Sequence, residues 1–224
     1  MEDLTGKPLV IRTEPDENLK TGLNIARQLL LSGGLVAFPT ESFYGLAVNA
    51  SDEDAVSHLF AIKKRESDRP VLVLIPSLDS LERYVEEIPE IALKVIKKFW
   101  PGGLTLLFRA GSDISRLLTA GTGKIGIRLS SHPVARALVK TVGSPITGTS
   151  ANISGEPPCI NAEDVLSSLG QKVDLVLDGG RTEGGKGSTI LDVTVSPPEI
   201  LREGMISHKQ IRDIISPLDI QRNS

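Results

Sequence analysis

Cysteine is almost absent. Cys159 is the one thiol in 224 residues, so no internal disulfide can staple the chain. Histidine is nearly as scarce, and His58, His132 and His208 are scattered in a way that offers poor material for a zinc site. Aromatic residues make up 4%, few for the stacking platforms that single-stranded nucleic acid requires. There is no excess of positive charge: 25 basic against 28 acidic side chains leave a net charge of −3, which argues against a protein whose main work is coating nucleic acid. No apolar run approaches the roughly 18 residues needed to cross a bilayer. The first residues, Met1-Glu2-Asp3-Leu4-Thr5-Gly6-Lys7-Pro8, lack the basic start and apolar centre of a secretory signal. A cytoplasmic protein without a membrane partner is therefore expected. The glycosylation-like triplets Asn49-Ala50-Ser51 and Asn152-Ile153-Ser154 carry no weight in that setting.

What is present suits a globular domain. Hydrophobic residues amount to 40% and charged residues to 24%, enough for one full core. Leu19, Leu23, Ala26, Leu29 and Leu30 recur at helical spacing, predicting a helix over 18–32 that Gly33-Gly34 stops. A short apolar strand follows at 35–38. Ser51 then reads as the hydroxyl cap of a second helix, with acids in its first turn, running to about Lys64 and burying Ala55, Leu59 and Ile62. Further strands are expected at 71–75, 104–108, 125–129, 145–149, 175–177, 189–193 and 200–201. Helices are expected at 89–99, 132–142 and about 209–215. Strands and helices interleave without a break in composition. The expected fold is one α/β domain over 10–215 on a twisted mixed parallel and antiparallel sheet, with 216–224 as a polar tail.

Two glycine-rich segments imitate nucleotide motifs. Gly121-Thr122-Gly123-Lys124-Ile125-Gly126 spells G-x-G-x-x-G, but that motif needs a strand before it and a helix after it, and here a strand follows. A glycine hairpin is expected instead. Gly180 to Ser188 nearly makes a P-loop, yet Gly187 stands where Ser or Thr must follow Lys186 to reach magnesium. It reads as a turn, or as a loop that moves over a ligand.

Several segments could carry chemistry. Pro39-Thr40-Glu41-Ser42-Phe43-Tyr44-Gly45-Leu46 lies just past a strand's C-terminal end, where ligands collect in open α/β sheets. Its hydroxyls beside Glu41 could grip a small polar substrate, or Thr40 could simply cap a turn; both readings stand. Lys63-Lys64-Arg65, with Arg69 beyond, puts cations at a helix C-terminus, where the dipole stabilises them by roughly 0.3–1 kcal/mol without any ligand. Solvated surface is the simpler reading there on composition alone. Lys124 and Arg128 share one face of a strand, Ser150 and Asn152 end another, and Arg202 follows the 200–201 strand. Together they place cations and small hydroxyl or amide groups at several strand ends, as a polyphosphate pocket without a P-loop would require. Cys159, beside Pro157-Pro158, reads as a structural thiol.

The order of these segments resembles the YrdC-type family of threonylcarbamoyl-AMP synthases over about residues 18–215. The resemblance is carried by Gly33-Gly34-Leu35-Val36-Ala37-Phe38-Pro39-Thr40-Glu41-Ser42 with Tyr44-Gly45-Leu46, by Lys63 and Arg65, and by Trp100-Pro101-Gly102-Gly103-Leu104-Thr105. Ile125-Gly126-Ile127-Arg128 before His132-Pro133, Ser150-Ala151-Asn152, Ser188-Thr189 and Leu201-Arg202-Glu203-Gly204 continue it. It implies a YrdC-like fold around a wide basic cavity and the joining of L-threonine, bicarbonate and ATP into threonylcarbamoyl-adenylate and pyrophosphate. A separate tRNA threonylcarbamoyl transferase would use the product, and direct tRNA binding would be weak. The implied catalytic group is Lys63, Arg65, Ser150 and Asn152. ATP would also meet Arg202 and Lys124, with Arg69 replacing Arg65 should the turn shift register; threonine would meet Thr40, Arg128 and Ser188, Arg128 pairing its carboxylate in bidentate fashion. Magnesium is expected with ATP, held by phosphate and water rather than by a protein cage.

The chain departs from that family's pattern at Ser42 for threonine, at Lys64 and Glu66 for glycine and proline, and at Glu203 for proline. It ends about where the family's catalytic domain ends, the expected short form. The alternative reading is an RNA-binding module of the same fold without catalysis. A carbamoyl-transfer role like that of the similar domain in hydrogenase-maturation proteins ranks below, because their partner domains are missing from this sequence.

Overall fold

Short strands buried on both faces build this molecule, and a computed structural model describes its residues 7–64 and 70–215. In chain order these form β1 (Leu9–Arg12), α1 (Asp16–Leu31), β2 (Val36–Pro39), β3 (Tyr44–Ala47), α2 (Glu53–Lys63) and β4 (Leu72–Leu74). Next come α3 (Glu90–Phe99), β5 (Leu104–Arg109), α4 (Arg116–Thr119), β6 (Lys124–Arg128), α5 (Pro133–Val142), β7 (Ile146–Thr147) and β8 (Thr149–Ser150). The chain closes with α6 (Ala162–Leu169), β9 (Leu175–Asp178), β10 (Thr189–Asp192), β11 (Glu199–Arg202) and α7 (His208–Arg212). The expected tail over 216–224 lies outside the described residues. Among the described residues no helix is long and apolar enough to cross a membrane.

The mixed α/β class is as expected, but the strands divide into two sheets. One runs β1-β9-β2-β3-β8 and the other β11-β10-β5-β6-β4-β7, each combining parallel and antiparallel pairs. Helices α1 and α5 cover one face of the first sheet: Leu23, Ala26 and Leu30 meet Val134, Leu138 and Val142 over Val36, Phe38, Leu175 and Leu177. Ala37, Leu46 and Val176, on the other face, join the larger core with α2, α3, α6 and the second sheet. That second sheet gives the core Leu104, Leu106, Phe108, Ile125 and Ile127. Because side chains alternate along a strand, Thr105, Leu107, Gly126 and Arg128 must face the opposite way. They line a cavity.

The single strand expected at 145–149 is broken. Ile146–Thr147 pairs with β4 in the second sheet and Thr149–Ser150 with β3 in the first. The crossing is at Gly148, where a Cβ would stand 3.0 Å from Leu74 Cγ, so glycine lets the chain pass here without crowding that side chain. Thr147 fastens the same point, its hydroxyl donating to Leu46 O and accepting from the Val48 N–H. No strand is expected at 44–47, but β3 pairs antiparallel with β2 as a tight hairpin in which Gly45 packs closely on the Phe38 ring.

Asp52, not Ser51, caps α2: its carboxylate accepts the Ala55 N–H at 3.0 Å. At the other end Lys64 adopts the left-handed conformation with φ 49°, a shape that the usual glycine takes freely and lysine does not. The left-handed cost of roughly 1–2 kcal/mol for an L-residue exceeds the backbone entropy glycine loses, roughly 0.5–1 kcal/mol. Lys64→Gly should therefore stabilise the fold by about 0.5–1 kcal/mol. It would be read as a higher urea midpoint at unchanged slope.

Candidate functional site

The two sheets and the segments between them enclose a cavity of about 400 Å³. Its floor is the inner face of the second sheet, from Leu72 through Gly126 and Thr105 to Ile190. Thr40, Ser42 and Tyr44 bring hydroxyls from the β2–β3 hairpin, and Ser150, Asn152, Glu156 and Pro158 come from beyond the sheet crossing. Ser188 and Arg202 close the far side. The charges among these lining groups are two guanidiniums, Arg128 and Arg202, and one carboxylate, Glu156.

Each predicted residue has a definite place. Thr40 Oγ1 donates to Phe43 O at 2.6 Å and accepts the Ser42 N–H, so it closes the hairpin and faces the cavity at once. Arg128 is buried, its Nε donating to Gly102 O at 3.1 Å and its Nη2 paired with Glu41 Oε1 at 2.5 Å. Ser188 Oγ accepts from Thr105 Oγ1 at 2.8 Å, and Arg202 donates to Ser188 O through Nε and Nη2. Burial, then the nearby Arg128 charge, lowers the Arg202 pKa from its ordinary value. Asn152 donates to Ile153 O and Glu156 O, while its buried Oδ1 has no hydrogen-bond partner among the described residues.

Two of the expected phosphate ligands stand apart from the cavity lining. Lys63 is not among the residues lining the cavity; its buried ammonium donates to Ser150 O at 2.5 Å and Asn152 O at 2.6 Å. A buried charge must find such acceptors, and these carbonyls stand directly beneath the cavity wall. Lys124 shares a strand face with Arg128 as foreseen, but about 13 Å of strand separates them. Its ammonium pairs with Asp192 Oδ2 at 2.6 Å, outside the cavity lining. Arg65 and Arg69 lie outside the described residues.

Sequence reasoning missed Thr105 and Glu156. Thr105 had a signal, the lone hydroxyl in the otherwise apolar run Leu104-Thr105-Leu106-Leu107-Phe108; Glu156 had none before the loop's path was known. Tyr44 donates to Gly180 O at 2.7 Å, and burial with the Asp178 charge pushes its phenol pKa up. The loop after β9 is strapped to the hairpin again by Gly184 N–H donating to Ser42 O. Glu203 turns away toward α7, accepting the His208 N–H and pairing with Lys186 and His208. Cys159 donates to Ala151 O, and burial, helped by Asp164, raises its pKa to about 11, which leaves a protonated structural thiol. Among the described residues no group of His, Cys, Asp or Glu is arranged to hold a metal ion.

Residues 28–204 match the sequence model of the Sua5/YciO/YrdC family, described as telomere recombination. The chain belongs to this family. It is 39% identical over 198 residues to the threonylcarbamoyl-AMP synthase of Pyrococcus abyssi, covering 88% of this chain and 58% of that protein. The Bacillus subtilis protein of the same name is 40% identical over 198 residues, 88% of this chain and 57% of that one. The crystal structure of P. abyssi Sua5 complexed with L-threonine superposes with a TM-score of 0.86 at 37% identity, over 93% of this chain and 60% of that one. The chain thus spans less than two thirds of the length of these family members. The segments that carried the resemblance converge in the fold: the hairpin, the 100–105 turn, the end of β6, the Ser150-Ala151-Asn152 turn and Ser188 all reach or support the one cavity.

Two expectations follow for this family member. Lys63→Met would keep the bulk but strip the Asn152 carbonyl of the ammonium donor and leave the Ser150 carbonyl only the Asn152 N–H, costing about 2–4 kcal/mol in chemical denaturation. Burial raises the Glu41 carboxyl pKa, but the Arg128 charge and the Ser130 and Arg128 hydrogen bonds outweigh it and hold it below 4.5. Its contribution to stability is therefore complete above that value and is lost as pH falls through the lower folded value. Urea midpoints should fall more steeply in acid for the wild type than for Glu41→Gln.

Proposed function

We propose that this chain is a threonylcarbamoyl-AMP synthase, converting L-threonine, bicarbonate and ATP into threonylcarbamoyl-adenylate and pyrophosphate. The observation that carries the reading is the convergence of Arg128 and Arg202 on one cavity lined with small hydroxyl and amide groups. Relatives of that name and the threonine-bound structure support it.

The chemistry asks for positioning more than for acid–base groups. Threonine's amine and bicarbonate give an N-carboxylate and water; one carboxylate oxygen attacks the α-phosphorus of ATP, and the bond to the pyrophosphate oxygen breaks. Holding that weak nucleophile in line, while cations receive the growing charge on the leaving group, supplies most of the rate. Arg202 would serve the phosphates, with Ser150 and Asn152 Oδ1 facing the nucleotide; Arg128, Thr40 and Ser188 would receive threonine. Lys63 acts beneath them, holding the Ser150–Asn152 turn, and Arg65 and Arg69 stay assigned to phosphate. Magnesium would enter as the nucleotide's own chelate. A tRNA threonylcarbamoyl transferase would take the product, in keeping with weak direct tRNA binding and a cytoplasmic setting.

Purified protein should release pyrophosphate from ATP only when L-threonine and bicarbonate are both present, with the adenylate identified by mass. Release indifferent to threonine would overturn the reading. Arg202→Ala should lower turnover by about 10²–10³, the scale of losing one electrostatic donor at a reacting centre.

A further inference from the structure

Arg128 reaches the cavity, but the groups that hold it do not. A guanidinium offers two bidentate edges: a side edge made by Nε with one Nη, and an end edge made by both Nη groups. Here Nε donates to Gly102 O at 3.1 Å, which takes the side edge, while Nη2 is ion-paired with Glu41 Oε1 at 2.5 Å. Glu41 is locked in turn, its Oε2 accepting from Ser130 Oγ at 2.6 Å, and that hydroxyl accepts the His132 N–H at 3.2 Å. The Gly102 turn is fixed by its N–H on Leu129 O at 2.8 Å.

We propose that Glu41 is a positioning residue for amino-acid selection: it aims Arg128 so that only the end edge meets the substrate α-carboxylate, and it keeps that guanidinium from following the triphosphate. The inference rests on the proposed function. The carboxylate is also the countercharge that lets two guanidiniums occupy one cavity. Arg202 is held separately, fastened to Ser188, so each of the two cations keeps its own place when anions enter. The expected bidentate pairing by Arg128 is thereby narrowed to one edge. Neither Glu41 nor Ser130 lines the cavity, so both act through Arg128.

Calorimetric titration of the wild type with L-threonine and with a non-hydrolysable ATP analogue comes first. A wild type that does not bind threonine overturns both the functional reading and this inference. Given binding, Glu41→Ala should weaken threonine about tenfold and the nucleotide by no more than about twofold, the pattern of a displaced contact rather than a loosened fold. Glu41→Gln should recover most of the threonine affinity, because an amide of the same shape keeps the Ser130 tether and its place beside Nη2. Equal losses for both ligands, or none for threonine, would overturn the inference and leave the functional reading standing. Should Glu41→Ala fail to fold, Ser130→Ala removes one tether and should weaken threonine about threefold with the nucleotide unchanged. An unchanged threonine affinity in that variant overturns the inference as well.

Discussion

The buried ammonium of Lys63 ties the end of α2 to the point where the chain passes between the sheets. Its Nζ donates to Ser150 O and Asn152 O, and its own carbonyl accepts the Ser154 N–H. A lysine 2% exposed survives only because these acceptors replace water. The cost of the buried charge becomes directional: the turn must present its carbonyls inward and so its side chains outward, toward the cavity. The crossing at Gly148 sets the position of that turn, since β7 belongs to one sheet and β8 to the other. Sheet division, helix end and cavity wall are one arrangement around a single cation.

A second constraint is the sharing of charge inside the cavity. Two guanidiniums facing one space repel, and each is restrained by protein acceptors: Arg128 by Glu41 and Gly102 O, Arg202 by Ser188. Such fixed donors cost no reorganisation when an anion enters, the general advantage of preorganised polar sites. The loop after β9 contributes by fastening rather than by cradling phosphate. Tyr44 on Gly180 O and Gly184 on Ser42 O join it to the hairpin that carries Thr40. Its likeness to a P-loop was compositional only.

Much of the fold was legible because hydrophobic period survives in short elements. The helices α1, α3 and α5, and the strands β5, β6 and β10, stand within a few residues of their expected places. The misses have a common cause. Strand β3 depends on Gly45 packing against Phe38, and the break at Gly148 on the nearness of Leu74; both are contacts between distant or facing segments that local pattern does not carry. Lys64 shows the reverse: the sequence put lysine where glycine is usual, and the backbone kept the left-handed turn regardless.

By itself the sequence determined the element types, the family and the residues with chemistry in them, because period, capping groups and ordered motifs are properties of neighbours along the chain. Only the tertiary structure decided what those residues touch. Lys63 and Arg128 look alike as cations at element ends, yet one supports the wall from beneath and the other faces the cavity. Lys124 and Arg128 share a strand face, yet one is taken by Asp192 and the other by Glu41. A charged side chain goes to the nearest acceptor that burial leaves it, and those acceptors, the carbonyls of a turn or a carboxylate many residues away, become neighbours only when the sheets have closed.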